Sequence, residues 1–261
     1  MDAPRNILKR ELASGRTLFG VWLGLGDPLP AEIAGRAGYD WCLIDAEHGP
    51  NDLPRILAQL QALAATPAQP VVRLPAGEPW MIKQVLDLGA QTIMIPMVET
   101  AAQARDLVRA TRYPPQGIRG VGAALGRASH WNGMTNYTAT ANDEIALIAQ
   151  IESRGALENL EEIAAVEGVD ALFIGPADLA ADMGCTGDDP DLHRIVAEAL
   201  GRIRSTGKAA GIIAFDPAVT CRHAAAGANF IGTGADSILL ARALREGLER
   251  CRAAVGGADS A

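Results

Sequence analysis

The chain has 261 residues, 49% hydrophobic and 21% charged, with 31 acidic against 23 basic side chains and a formal net charge of −8. A chain of this make-up can bury a sizeable core and is not disordered, and its acidic balance offers no positive face for nucleic acid. No apolar run is long enough to span a membrane, the N-terminus lacks a signal-peptide core, and the four scattered cysteines make no CxxC pair, so a reducing, cytoplasmic setting is expected.

Taken in chain order, Ile7, Leu8 and Leu12 space a short amphipathic N-terminal helix. Eight apolar runs then read as strands: 18–24, 41–46, 70–75, 92–98, 146–152, 171–175, 210–215 and 229–234. Most are continuously apolar and follow Gly or Pro, as strands buried on both faces of a parallel sheet do. Between them, 53–65, 79–89, 101–112, 156–168 and 191–207 repeat apolar residues at helical spacing, several ending in Gly. Eight β/α repeats predict a single-domain α/β protein, a closed (β/α)₈ TIM barrel, over a doubly wound open sheet. Residues 113–145 break the rhythm with a long Gly-rich polar connection, expected to serve as an active-site loop or lid.

In such a barrel the chemistry gathers where strands end. The second strand ends in "DAEHG", carrying Asp45, Glu47 and His48; the third ends near Arg73; the fifth ends on Glu152; the sixth runs through "FIGPADL" to Asp178. A carboxylate at a barrel mouth needs a partner. Glu152 and Asp178 close neighbouring strands and can share one hard cation, Mg²⁺ or Mn²⁺. The plainer alternative pairs each acid with an arginine or assigns it to a helix first turn, where Asp178 falls in any case.

After Gly175 and Pro176, the amides of Ala177 and Asp178 should open a helix and receive a carboxylate. His48 suits proton transfer, oriented by Asp45, Glu47 or Asp87, while Arg73 either stabilises an enolate oxygen or forms a salt bridge to Asp45 or Glu47. His130 lies in the long connection within reach of a mouth; His193 and His223 read as structural. None of the three lysines, Lys9, Lys83 and Lys208, falls at a strand's C-terminal end, which argues against imine chemistry.

The segments "FGVW", "DWCLIDAEHGPND", "VVRLP", "LDLGAQTIMIPMVET", "YPPQGIRGVG", "IAQIES" and "ALFIGPADLAADMG" together resemble the HpcH/HpaI aldolase family across residues 15 to 240. The resemblance implies a (β/α)₈ barrel and a class II pyruvate aldolase dependent on a divalent metal, Mg²⁺ or Mn²⁺, with Co²⁺ a further candidate. It implies Glu152 and Asp178 as metal ligands, His48 as base, Asp87 as the acid that raises the basicity of His48, and Arg73 as transition-state stabiliser. Gln150 and Ala177, beside Gly175, would contact the pyruvyl group, and Trp22 would form a pocket wall. It further implies a homo-hexamer, a trimer of dimers, with the C-terminal segment 240–261 exchanged between subunits.

The expected substrates are a small 2-oxo acid, pyruvate or hydroxypyruvate, and an aldehyde. Oxaloacetate-type decarboxylation at the same site, or an inactive barrel that binds an oxo acid, are the alternatives. Phe215 and Asp216 after the seventh strand, and the loop 123–140, depart most from the family pattern and bear on aldehyde preference.

Overall fold

Eight parallel strands follow one another around a closed barrel in this computed structural model, which describes residues 1–258. They are β1 (Leu18–Leu23), β2 (Trp41–Asp45), β3 (Gln69–Arg73), β4 (Thr92–Ile95), β5 (Ala146–Ile151), β6 (Val169–Ile174), β7 (Ala209–Ile213) and β8 (Phe230–Ala235). Each pairs with the next, and β8 returns to β1, so the open-sheet alternative is excluded. All eight predicted strands are present. β3 and β4 stop two or three residues earlier than expected, because Pro75 and Pro96 have no N–H to continue a ladder.

The apolar residues form two nested cores. One lies between the strands and the outer helices, and the other fills the barrel with Trp22, Trp41, Phe173 and Phe230. Room for the large rings comes from glycines on adjacent strands: a Cβ on Gly20 would fall 2.0 Å from the Trp41 ring, and one on Gly232 would fall 2.3 Å from Trp22. The predicted N-terminal helix, Ile7–Ser14, is capped by the Asn6 side chain and stoppers the barrel from below with Leu8 and Leu12, both fully buried in the interior core. Truncating either leucine to alanine is expected to cost about 2–5 kcal/mol, since the plug cannot collapse into the space left. Urea unfolding would read this as a lower midpoint at unchanged slope.

The predicted helix 156–168 is two helices, Arg154–Glu158 and Leu160–Ala164. They break at Asn159, whose side chain donates to the Glu99 carbonyl at 2.9 Å. Helices not singled out from sequence are Pro28–Arg36 and Pro217–Ala225, each opened by a capping Asp and a proline. The C-terminal helix runs Asp236–Ala258; residues 259–261 of the predicted tail lie outside the described residues.

The connection 113–145 lies elsewhere than expected. Helix Ala101–Thr111 returns to the N-terminal face, and β5 starts from that face, so the segment between them spreads underneath its own barrel. It holds three 3₁₀ turns, one short helix and a small core of Tyr113, Met134, Tyr137 and neighbouring alanines. It contacts the N-terminus and the end of helix Pro79–Asp87: Asn136 N–H donates to the Met1 carbonyl, Ala3 N–H to Thr140, and Arg127 to the Leu88 carbonyl. Within one chain it does not roof the strand ends, and His130 stays at the opposite face from them.

Candidate active site

At the C-terminal rim the strands deliver an arginine into a set of carboxylates. Arg73, the last residue of β3, is 8% exposed and forks onto Asp45, the last residue of β2. Nε donates to Oδ1 at 2.9 Å and Nη2 to Oδ2 at 2.7 Å. This pair follows from register, because Asp45 stands opposite Arg73. Nη1 lies 2.8 Å from Glu47 Oε2, a close charge contact whose alignment falls short of a hydrogen bond. The salt-bridge alternative for Arg73 is therefore realised with both acids. Asp45 Oδ1 also accepts from the amides of Glu47 and His48, which shapes the "DAEHG" turn.

Glu152 follows β5 directly and is 3% exposed. Its Oε1 accepts from Gln150 Nε2 at 2.9 Å, and its Oε2 accepts from Met97 N–H at 3.0 Å. Burial pushes its carboxyl up to about 7; the Met97 amide opposes the rise, and the charges of Asp178 and Glu47 add to it. Glu47 is also raised, again mainly by burial, with Arg73 opposing. Each of these two acids feels Asp178, so Glu47, Glu152 and Asp178 share one electrostatic site.

Asp178 stands in the first turn of helix Pro176–Met183, directly after β6, the strand that pairs with β5. The helix has Gly175 at its N-cap and no side-chain cap, so first-turn amides, among them Ala177's, remain for a ligand. Gly175 must be glycine, because a Cβ there would fall 2.3 Å from Glu152 Oε1. Gly175→Ala should displace that carboxylate and lower kcat/KM about 10²-fold with little change in secondary structure by circular dichroism.

Trp22 is buried in the barrel, with Arg73 Cζ 6.0 Å from its ring centroid. Gln150 is 2% exposed, and its Oε1 has no hydrogen-bond partner. His48 is solvent-exposed, with Glu47 Oε2 at 3.8 Å from its Nε2. A groove of about 760 Å³ leads outward from Glu47 and Met97 past Pro75 and Leu107.

The structure thus brings together Trp22, His48, Arg73, Gln150, Glu152, Gly175, Ala177 and Asp178. It does not bring Asp87 to them within one chain. Asp87 is the last residue of helix Pro79–Asp87, which has returned to the N-terminal face, and it pairs there with the buried Arg119 at 2.7 Å. Sequence reasoning missed the Met97 amide, since a left-handed methionine carries no pattern signal.

Glu152 is held by neutral donors alone, Glu47 and Asp178 stand beside it, and with Asp45 these four acids face one arginine, so the site carries excess negative charge. Arg73 is spent on Asp45 and Glu47, which leaves Glu152 and Asp178 without a paired cation among the described residues. Among the described residues no group of three His, Cys, Asp or Glu side chains is arranged to enclose a metal. Two oxygen ligands suit an open site in which a hard cation keeps positions for water and substrate. The residues fit such an ion. The lysines are elsewhere: Lys9 and Lys208 bond carbonyls at the N-terminal ends of β5 and β6, and Lys83 is in helix Pro79–Asp87.

A parallel barrel with its ionisable residues gathered at the strands' C-terminal ends has the layout of a barrel enzyme. The chain belongs to the HpcH/HpaI aldolase/citrate lyase family, whose model matches residues 18–243. It is 55% identical over 254 residues to a hydroxypyruvate/pyruvate aldolase of Roseovarius nubinhibens, covering 97% of this chain and 99% of that protein. It is 50% identical over 240 residues to a 4-hydroxy-2-oxo-heptane-1,7-dioate aldolase of Escherichia coli, covering 91% and 92%. A crystal structure of a HpcH/HpaI aldolase/citrate lyase family protein from Burkholderia cenocepacia J2315 matches with a TM-score of 0.91 at 43% identity, covering 95% and 99%.

Proposed function

We propose that this chain is a divalent-metal-dependent pyruvate aldolase, a carbon–carbon lyase that reversibly cleaves 4-hydroxy-2-oxo acids into pyruvate or hydroxypyruvate and an aldehyde. The observation that carries the reading is the pair Glu152 and Asp178, unpaired by any cation, on adjacent strand ends beside Arg73 and with no lysine at the rim. Named relatives at 50–55% identity support the same reaction class.

Glu152 and Asp178 would hold the cation, Mg²⁺ or Mn²⁺, which supplies Lewis acidity toward the oxygens of a 2-oxo acid. The free amides at the start of helix Pro176–Met183, with Ala177 foremost, receive the substrate carboxylate. Gln150, buried beside Glu152 and donating to it, orients the oxo-acid portion. His48 takes the proton of the 4-hydroxyl as the C3–C4 bond breaks and an aldehyde departs. The electron pair passes to the pyruvate enolate. Arg73, locked by Asp45, would hold its positive charge beside the enolate oxygen. In reverse, the site removes a methyl proton from pyruvate.

Two placements favour an oligomer. Asp87 can act on His48 only if another subunit presents it, since its own chain holds it at the far face. The C-terminal helix leaves Leu240, Leu244, Leu248 and Val255 exposed, as an exchanged helix would before pairing with a second copy. A hexamer built from such dimers is the assembly proposed. Among the described residues no helix is long and apolar enough to cross a membrane.

The test is exchange of pyruvate methyl protons with deuterated water, followed by NMR. Exchange should be lost in chelator and restored by Mg²⁺ or Mn²⁺, and added aldehyde should yield a new carbon–carbon bond. Full exchange in chelator would overturn the metal mechanism, and CO₂ release from oxaloacetate without aldehyde addition would favour decarboxylation.

A further inference from the structure

The β4–β5 ladder is interrupted and then resumes. Ile95 pairs with Ala149, and the next bond runs from Val98 N–H to the Gln150 carbonyl at 3.1 Å. An N–H in these ladders bonds the carbonyl opposite the preceding residue, so Met97 stands level with Gln150; one step along β5 is matched by two along the other chain segment, and Pro96 and Met97 form a bulge. Such bulges re-aim groups beside active sites. Pro96 has no N–H to offer. Met97 sits at φ 53°, in the left-handed region that non-glycine residues avoid, and from there its N–H points at Glu152 Oε2, 3.0 Å away.

Something must hold Met97 in that conformation. Gln103, in the first turn of helix Ala101–Thr111, folds its side chain back over the bulge. Its Nε2 donates to the Met97 carbonyl at 3.3 Å, and its Oε1 accepts from Glu99 N–H at 2.8 Å. A second latch joins the same loop to β5's end. The Ser153 hydroxyl lies 2.7 and 2.8 Å from the two Glu99 carboxylate oxygens, and Asn159 donates to the Glu99 carbonyl at 2.9 Å.

We propose that Gln103 is a positioning residue for the metal site: by clamping the Pro96–Met97 bulge it aims the Met97 amide at Glu152 and fixes that carboxylate for the cation. The inference rests on the reading of Glu152 as a metal ligand. Gln103 bonds the backbone of Glu99 and Met97 and neither Glu152 nor Asp178. Partners one step removed from a ligand commonly govern affinity about 10- to 100-fold.

The experiment titrates metal-stripped protein with Mn²⁺ and follows free Mn²⁺ by electron paramagnetic resonance. Gln103→Leu, which removes both clamp bonds at similar volume, should weaken Mn²⁺ binding about 10-fold, while thermal unfolding in chelator stays within a few degrees of wild type. Gln103→Glu keeps the acceptor for Glu99 N–H and loses the donor to Met97, so its affinity should fall in between; it also serves if the leucine variant folds poorly. Met97→Gly keeps the amide and accepts the positive φ freely, so with Gln103 intact it should bind Mn²⁺ within about twofold of wild type. Unchanged affinity in both Gln103 variants overturns the inference alone. A wild-type chain that binds no Mn²⁺, or a Glu152→Gln variant that binds it normally, overturns the metal reading and this inference with it.

Discussion

Glu152→Gln is expected to abolish aldol cleavage and pyruvate proton exchange, by about 10³-fold or more, while making the metal-free protein more stable above neutral pH. The two effects have one cause. Burial raises the Glu152 carboxyl to about 7 from an ordinary 4.5, so the folded state disfavours its charged form. Between those values the folded protein keeps a proton that the unfolded chain has released. Stability therefore falls as pH rises through this window, and the loss is complete above about 7. An amide at this position carries no such penalty. It can still accept from the Met97 N–H, and Gln150 can turn its unpartnered oxygen toward the new NH₂. The gain should be about 1–3 kcal/mol at pH 8 and near zero at pH 4.5, read from urea unfolding in chelator. Divalent cation should raise the melting temperature of wild type and leave the variant unmoved. Equal stability of the two proteins at pH 8, or retained exchange in the variant, would refute this account.

Removing Arg73 should be the most damaging change at the rim. Asp45 is 5% exposed and owes both oxygens' strongest contacts to this guanidinium. Arg73→Ala strands that buried carboxylate and takes from Glu47 the charge that opposes its burial-driven rise. A broken buried pair of this kind costs about 3–5 kcal/mol. The sign with pH follows: Glu47, raised further, is more easily held neutral in acid, so the variant's deficit should be smaller at pH 5 than at pH 8. Arg73→Lys keeps a charge and loses the fork that grips Asp45, so it should recover part of the stability and little of the activity. Activity in both should fall at least about 10²-fold, the scale of one preorganised donor to a developing oxyanion. Urea melts at two pH values and kcat/KM for aldol cleavage give the comparison.

The strands could be read from the sequence because a parallel barrel buries both faces of each strand, which leaves continuous apolar runs such as that of β5. The rim was legible for a related reason. Where such a run ends on a charge, as at Asp45, Arg73 and Glu152, the charge stands at the mouth. The direction of the helices was the overlooked signal. A helix that follows a strand runs back to the opposite face, so Asp87 at a helix end and the segment 113–145 beyond the next helix both belong underneath. The Pro96–Met97 bulge was hidden for a different reason: its backbone is bonded by Gln103 and by the neighbouring strand, residues distant in the pattern, and no local propensity of methionine announces it.

The leucine stopper under the barrel has a kinetic consequence. With Leu8 and Leu12 on the floor and Trp22, Trp41, Phe173 and Phe230 filling the interior above them, reactants would reach the site from the top. On the proposed function, an oxo acid lying against the buried Gln150 and Glu152 would occupy the inner berth, with the aldehyde outside it. Cleavage would then discharge the aldehyde first and pyruvate last, and synthesis would load them in the reverse sequence.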